Sequence, residues 1–248
     1  MLKTLKARLM QGYRTNKFPY AAPQMPDRFA GLPEIAGTAC PPECSLCAEA
    51  CPTDAVTRSG ESVALDMGKC LFCSACAKAC PSKTIAFTKQ HDLAAFRRES
   101  LIRTKDSGYE YELADLCRRS LKIRQVSAGG CAACELDFNV LNTLAWDMGR
   151  FSIQVVASPR HADCVLVTGP VSRNMLLALK KTYEAVPKPS FVIACGTCAI
   201  SGGLYAENPE TCSGVEEILK PDLYVPGCPP HPATLLEALI RFLGRRLR

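Results

Sequence analysis

The chain has 248 residues, 48% of them hydrophobic, with a formal net charge of +6 and 16 cysteines. That length and apolar content suit two modest domains or one large one, and exclude a disordered chain. No run of about 18 consecutive apolar residues occurs, which excludes a membrane-spanning helix. The first ten residues carry no apolar run of signal-peptide length, so the cysteines are expected to be metal ligands in a reducing compartment rather than a secreted disulfide framework.

Residues 1–26 contain no acidic residue and carry Lys3, Lys6, Arg8, Arg14 and Lys17. Leu2, Leu5, Leu9 and Tyr13 fall at helical spacing on one side. The pattern predicts a short basic amphipathic helix that could lie on an anionic membrane surface or dock against a partner. An ordinary surface helix and an organellar presequence are the alternatives. The segment Phe18–Pro26, with three prolines, reads as extended connector.

An internal repeat follows. Cys44, Cys47, Cys51 and Pro52 recur 29 residues later as Cys73, Cys76, Cys80 and Pro81, and Val56 maps onto Ile85. Such pseudo-symmetry predicts two copies of one small unit packed together. Cys70-x2-Cys73-x2-Cys76-x3-Cys80-Pro81 has the spacing of a bacterial ferredoxin motif, in which three close thiolates wrap one face of a [4Fe–4S] cube and the fourth reaches the other cluster. Cys40-x3-Cys44-x2-Cys47-x3-Cys51-Pro52 repeats it with one extra residue in the first gap. The crossed arrangement assigns Cys40, Cys44, Cys47 and Cys80 to one cluster and Cys70, Cys73, Cys76 and Cys51 to the other. A zinc site on the two CxxC pairs is the competing reading; it leaves Cys40, Cys51, Cys76 and Cys80 without a role. Beyond the repeat, Asp92–Ile102 reads as a helix and Arg103–Glu112 as a linker.

The second half alternates predicted strands at Leu121–Val126, Ile153–Val156, Cys164–Thr168, Phe191–Ala194 and Leu223–Val225 with helices at Glu135–Met148, Met175–Ala185 and Ala233–Arg246. That alternation predicts a doubly wound, flavodoxin-like parallel sheet covered on both faces. The fold class is therefore α/β and α+β: an N-terminal dicluster ferredoxin-like domain followed by the doubly wound domain. The expected limits are 1–30 for the helix and connector, 31–90 for the ferredoxin-like domain, 91–118 for helix and linker, and 119–248 for the α/β domain. Cys131 and Cys134, then Cys198 and Cys228, follow three of the strands, so their loops can converge at one sheet edge and hold a third cluster. Cys195, two residues from Thr197 in Cys195-Gly-Thr-Cys198, competes with Cys198. Three clusters, each about −2 with its four thiolates, would bring the net charge near zero, which removes the case for a nucleic-acid partner.

The stretches Ser158–Asp163, Val167–Gly169, Gly196–Gly203 and Tyr224–Pro230 resemble the small iron–sulfur subunit shared by respiratory complex I and membrane-bound [NiFe] hydrogenases. The N-terminal half resembles the two-cluster ferredoxin-like subunit of the same complexes, so the chain resembles a fusion of two usually separate subunits. The resemblance implies three [4Fe–4S] clusters, with Cys131, Cys134, Cys198 and Cys228 as ligands of the third. It implies as partners a large subunit of hydrogenase or complex I type, membrane-arm subunits and an upstream electron donor protein. It places the chain peripherally on the cytoplasmic face of the inner membrane. In the family, complex I subunits set the first two cysteines side by side, whereas hydrogenase subunits separate them as CxxC; Cys131-Ala-Ala-Cys134-Glu135 resembles the formate-hydrogenlyase type. Quinone reduction in a complex-I-like enzyme and a freestanding polyferredoxin are the alternatives.

Cys117, Cys164, Cys195 and Cys212 remain over. Cys164 and Cys195 lie in strand runs and are expected to be buried. Arg160 and His161 could tune a nearby cluster or cap a turn, and Glu135 is expected to favour the N-terminus of its helix. No nucleophile–base pair, phosphate loop or dinucleotide fingerprint appears, so no substrate turnover is expected of the isolated chain.

Overall fold

The computed structural model describes residues 2–12, 14–36, 40–41, 43–60, 62–108, 112–114 and 119–245. The expectations placed on Tyr13, Cys117, Arg246 and linker positions 109–111 lie outside the described residues.

The chain opens with helix α1 (Leu2–Gln11). Its connector is pinned at Phe18, whose buried ring meets Trp146 and His91 edge-on. The ferredoxin-like half comprises β1 (Pro33–Ile35), α2 (Leu46–Glu49), β2 (Val56–Ser59), β3 (Ser62–Asp66), α3 (Ala75–Ala79) and β4 (Ile85–Phe87). The cysteine repeat is also a structural repeat: α2 and α3 start 29 residues apart, as do β2 and β4. Helices α2 and α3 pack on each other. β4 pairs antiparallel with β1, and the hairpin β2–β3 is extended by β5 (Ile102–Arg103).

The helix expected over Asp92–Ile102 does not form; only Glu99–Leu101 makes a 3-10 turn. The backbone bonds of this segment go elsewhere. Ala95 exchanges two hydrogen bonds with Tyr224 (3.0 and 2.8 Å), lying antiparallel against the edge of the second half's sheet. Leu93, Ala94 and Ala95 are buried there, so covering a sheet edge outweighs local helix propensity. The expected linker likewise begins inside the sheet, since Arg103 belongs to β5.

The second half comprises β6 (Leu121–Ser127), α4 (Ala133–Val140), β7 (Ile153–Val155), β8 (Cys164–Thr168), α5 (Arg173–Glu184), β9 (Phe191–Cys195), α6 (Thr197–Ser201), β10 (Leu223–Val225) and α7 (Pro232–Phe242). Its five strands are all parallel, in the order β10-β9-β8-β6-β7. This is the flavodoxin-like order, with the topological switch between β6 and β8. α4 starts earlier than expected and stops at Val140, well short of Met148; the chain then turns through successive tight backbone bonds, and Asp147 adopts a left-handed conformation (φ 45°). α7 stops at Phe242 because Gly244 (φ 71°) reverses the chain, with Gly244 N–H on Arg241 O and Arg245 N–H on Ile240 O.

Strand side chains alternate between two cores. Leu121, Ile123, Leu166, Ile193 and Val225 face Phe138 of α4 and the apolar side of α7. Val165, Val167, Val192 and Ala194 face Leu179 of α5, Ile200 of α6 and, in the same continuous cluster, Leu65, Met67, Ile85 and Leu101 of the ferredoxin-like half. The two halves thus share one core. Arg241, almost fully buried on α7, reinforces the joint by donating to Ala94 O (3.1 Å) and Glu112 O (2.7 Å).

Candidate metal centres

Among the N-terminal cysteines, Cys47 lies near Cys80 and Cys40, and Cys70 and Cys76 lie near Cys51 and Cys73. Burial raises the Cys47 thiol, and the charges of Cys80 and Cys40 raise it further. Burial pushes Cys70 up to about 12, with Cys76, Cys51 and Cys73 adding to the rise. Cys76, at about 11, is raised by burial and then by Cys51, Cys73 and Cys47. So Cys51 sits with the later triplet and Cys80 with the earlier one, and Cys47 and Cys76 bring the groups next to each other. Buried Thr84 binds both members of the first crossed pair: its amide donates to Cys80 Sγ (3.4 Å) and its hydroxyl meets Cys40 Sγ (3.6 Å). Burial opposes ionisation of Cys80, but the Thr84, Ser82 and Ile85 donors lower its thiol overall.

Amides also reach sulfurs of the second group, from Ala55 to Cys51 (3.2 Å) and from Phe72 to Cys70 (3.2 Å). Such donors stabilise thiolate and tune potential. The irregular gap after Cys40 has its own latch: the Arg58 guanidinium donates to Pro41 O (2.6 Å) and to Cys44 O. Neither Thr84 nor Arg58 is marked by motif spacing. The repeat offers a weak clue to Thr84, which stands one residue before Ile85, the counterpart of Val56.

The third group assembles at the switch point. Gly130 and Gly169 press the loops after β6 and β8 together; a Cβ on Gly169 would stand 2.4 Å from Gly130 N. The first loop delivers exposed Cys131, and Cys134 in the first turn of α4. Cys198 comes from α6 and Cys228 from the loop after β10. Burial pushes Cys198 up to about 12, and the nearby charges of Cys228, Cys134 and Cys131 add to the rise. Gly196 (φ 88°) permits the close approach, since a Cβ there would lie 2.6 Å from Cys134 Sγ. Cys195 is fully buried in β9 behind this group, and its thiol hydrogen-bonds Cys134, which lowers Cys134 and raises Cys195. Cys164 is fully buried in β8.

No three or more His, Cys, Asp or Glu among the described residues converge as a single-ion site. A tetrahedral zinc site draws its ligands to about 2.0–2.3 Å from one point. Neighbouring cysteines supplied with amide and hydroxyl donors suit the thiolate ligation of an iron–sulfur cube.

The second and third groups are joined directly. The Thr197 hydroxyl, buried beside Cys198, donates to Cys70 O (2.7 Å) in one half and Gly227 O (3.2 Å) in the other. The Ser201 hydroxyl reaches Gly68 O (2.9 Å). Burial raises Cys228, and Cys73 is among the neighbouring thiols that raise it further. Cysteines of neighbouring groups thus come close to one another, Cys47 to Cys76 and Cys73 to Cys228.

Glu135 accepts from Ser127 Oγ (2.6 Å) and Thr168 Oγ1 (2.7 Å), tying the Cys131–Cys134 loop to the ends of β6 and β8. Burial opposes its charge, but these two hydroxyls lower its carboxyl overall, which suits an anchor in the first turn of α4. Arg160 and His161 sit exposed on a 3-10 turn. His231 caps α7, its Nδ1 accepting from Ala233 N–H (3.1 Å), and packs edge-on to Trp146 and Phe29.

Residues 131–242 match the family described as "NADH ubiquinone oxidoreductase, 20 Kd subunit", and residues 39–84 match the "4Fe-4S dicluster domain". The chain is 39% identical over 139 residues to a Pyrococcus furiosus protein described as "Probable membrane-bound hydrogenase subunit mbhJ", covering 55% of this chain and 83% of that protein. It is 40% identical over 112 residues to an NADH-quinone oxidoreductase subunit of Citrifermentans bemidjiense, covering 45% of this chain and 65% of the other. A chain in the structure of an archaeal membrane-bound sulfane sulfur reductase shares 31% identity over 51% of this chain and 70% of that one, with a TM-score of 0.45.

Proposed function

The chain belongs to the family of the 20-kDa subunit of NADH–ubiquinone oxidoreductase, here preceded by a 4Fe-4S dicluster domain, and on that premise we propose that it relays electrons through three [4Fe–4S] clusters to or from a partner large subunit of a membrane-associated [NiFe] hydrogenase. It acts as an electron-transfer iron–sulfur subunit of an oxidoreductase complex. The ligand sets are Cys40, Cys44, Cys47 and Cys80; Cys51, Cys70, Cys73 and Cys76; and Cys131, Cys134, Cys198 and Cys228. Bound there, the clusters would supply one-electron carriers. The working limits are 31–90 for the dicluster domain, 91–118 for the connection and 119–248 for the third-centre domain.

The observation that carries this reading is the joint between the second and third groups. Thr197 bonds the Cys70 loop to the Gly227 loop, and Cys73 lies among the charges felt by Cys228. A relay needs its carriers in fixed order and close, and this chain holds the loops of neighbouring centres by shared hydrogen bonds. The Cys131-x2-Cys134 spacing supports a hydrogenase of formate-hydrogenlyase type. The similarity to the NADH-quinone oxidoreductase relative favours a second reading, the same relay serving a quinone reductase. The partners are a large subunit, membrane-arm subunits and an upstream donor, with the chain on the cytoplasmic face of the plasma membrane.

Iron and sulfide analysis tests the cofactor count: about twelve of each per chain are expected, and about eight would remove the third cluster. The large subunit that copurifies tests the branch. Four cysteines in two CxxC pairs on it support the hydrogenase, and their absence selects quinone reduction.

A further inference from the structure

Helix α7 carries three polar side chains on one buried face. Thr234, Glu237 and Arg241 are 0%, 1% and 1% exposed, and at about 100° per residue they fall within an arc of about 60°. Arg241 is well partnered: it donates to Ala94 O (3.1 Å) and Glu112 O (2.7 Å), and its Nε stands 3.6 Å from Glu237 Oε1. The other two are not. Neither carboxyl oxygen of Glu237 nor the Thr234 hydroxyl has a hydrogen-bond partner among the described residues. Polar groups stay in a core when something satisfies them, so this face is built to hold a small polar ligand.

The surroundings indicate which ligand. A cavity of about 240 Å³ is lined by Cys228, His231, Asp137 and Thr234. A second, of about 280 Å³, is lined by Asp92, Ala94 and Glu112, and Leu93 belongs to both walls. Thr234 therefore borders the Cys228 side, Arg241 is bonded to the wall of the Asp92 side, and Glu237 stands between them along the helix. An internal water needs two to four polar partners, and the three unpartnered oxygens supply them. A cation does not fit, because Arg241 already brings positive charge to the carboxyl. Burial lifts the Glu237 carboxyl to about 8 against the pull of Arg241, and Asp92 adds to the rise. Of the other titratable groups around the helix, Asp137 of α4 and His231 face the Cys228 cavity. A protonated carboxyl both donates and accepts, as does a hydroxyl. Glu237 can thus give its proton to water on the Thr234 side and take another from water on the Asp92 side, ending each pass as it began.

We propose that Thr234 and Glu237 hold internal water that carries protons past Leu93, between the Asp92 cavity and the Cys228 cavity beside the third centre. The inference deepens the relay reading and takes its purpose from it, since hydrogen formation and quinone reduction each consume one proton with every electron delivered.

The test transfers the full, cluster-loaded chain at neutral pH into D2O and follows it by infrared spectroscopy. The expected result is a protonated carboxyl band, missing from Glu237→Gln, that shifts on deuteration well before the amides of β8 exchange. Thr234→Val should keep the band and slow its shift about two- to tenfold, the factor that one lost hydrogen bond supplies, and Thr234→Ser should restore the rate. Absence of the band overturns the proposal, because the carboxyl is then ionised. So does a shift that keeps pace with the β8 amides, which would mean that the proton leaves only when the core opens; that comparison needs no variant and stands even where Thr234→Val fails to fold. A folded Thr234→Val chain that exchanges as fast as the parent also overturns it. None of these readouts involves electron transfer, so their failure leaves the relay reading standing, whereas a chain with fewer than about twelve irons and an unchanged carboxyl shift would overturn that reading and spare this one.

Discussion

Thr197→Val removes one hydroxyl from the joint between the second and third groups. Thr197 is 1% exposed, so water cannot replace the lost donor. The Gly227 carbonyl keeps the Thr197 amide (2.9 Å), but the Cys70 carbonyl loses its 2.7 Å partner inside the core. Stranding one buried acceptor costs about 1–3 kcal/mol. At about 2–4 °C per kcal/mol for a chain of this size, a mid-range loss lowers the midpoint of heat-induced cluster loss by about 4–8 °C. Thr197→Ser keeps the hydroxyl and should recover most of the shift. The kinetic effect should be local: freeze-quench EPR after rapid reduction should show the third centre lagging behind the first two in the Val variant. A Val variant with unchanged midpoint and lag, or a Ser variant as impaired as Val, would show that the hydroxyl does not couple the two halves.

Three further outcomes follow from named contacts. Cys228→Ala should lower iron from about twelve to about eight per chain while the ferredoxin pair persists, and unchanged iron would refute the ligand set. Thr84→Val withdraws a donor from Cys40 Sγ; losing a hydrogen bond of about 0.5–1.5 kcal/mol should lower the first centre's potential by about 20–60 mV in a spectroelectrochemical titration, leaving the third unchanged. Glu237 lies fully buried on α7 with Arg241 Nε 3.6 Å away, and burial lifts its carboxyl to about 8 from 4.5 against the pull of Arg241. Its protonation favours the folded state fully below about pH 4.5, and that contribution is lost as pH rises through about 8, on the order of a few kcal/mol. Glu237→Gln should therefore flatten the fall in thermal stability between about pH 4.5 and 8, and an unchanged slope would assign the titration to another group.

The repeat and the doubly wound order are legible in the sequence because each rests on local chemistry: cysteine spacing at a constant 29-residue offset, and apolar runs long enough for strands buried on both faces. The helical reading of Asp92–Ile102 fails because its pattern of apolar residues serves a different end. Leu93 and Ala95 turn into the shared core, while Ala95 spends its backbone bonds on Tyr224, more than a hundred residues away. The over-long α4 and α7 show the same limit: tight turns after Val140 and a reversing Gly244 end what periodicity alone would continue. At the centres, the ligand candidates are visible as cysteines. Their supports are not, because Thr84, Arg58 and Thr197 are ordinary residues whose value depends on which sulfur or carbonyl the fold sets before them.

The shared core explains why the two halves sit in one chain. Val165, Val167, Val192 and Ala194 present an apolar face covered in part by the ferredoxin-like half. Separated, that half would leave part of this face wet, and would have to recover its place by association, at a cost of several kcal/mol in translational and rotational freedom. Fusion turns the same docking into an intramolecular event at high effective concentration. The joint combines this shared core with hydrogen bonds from Thr197, Ser201 and Arg241. The Thr197 bonds end on the backbone carbonyls of Cys70 and Gly227, so contacts that hold the halves together also fix the Cys70 loop against the loop that carries Cys228.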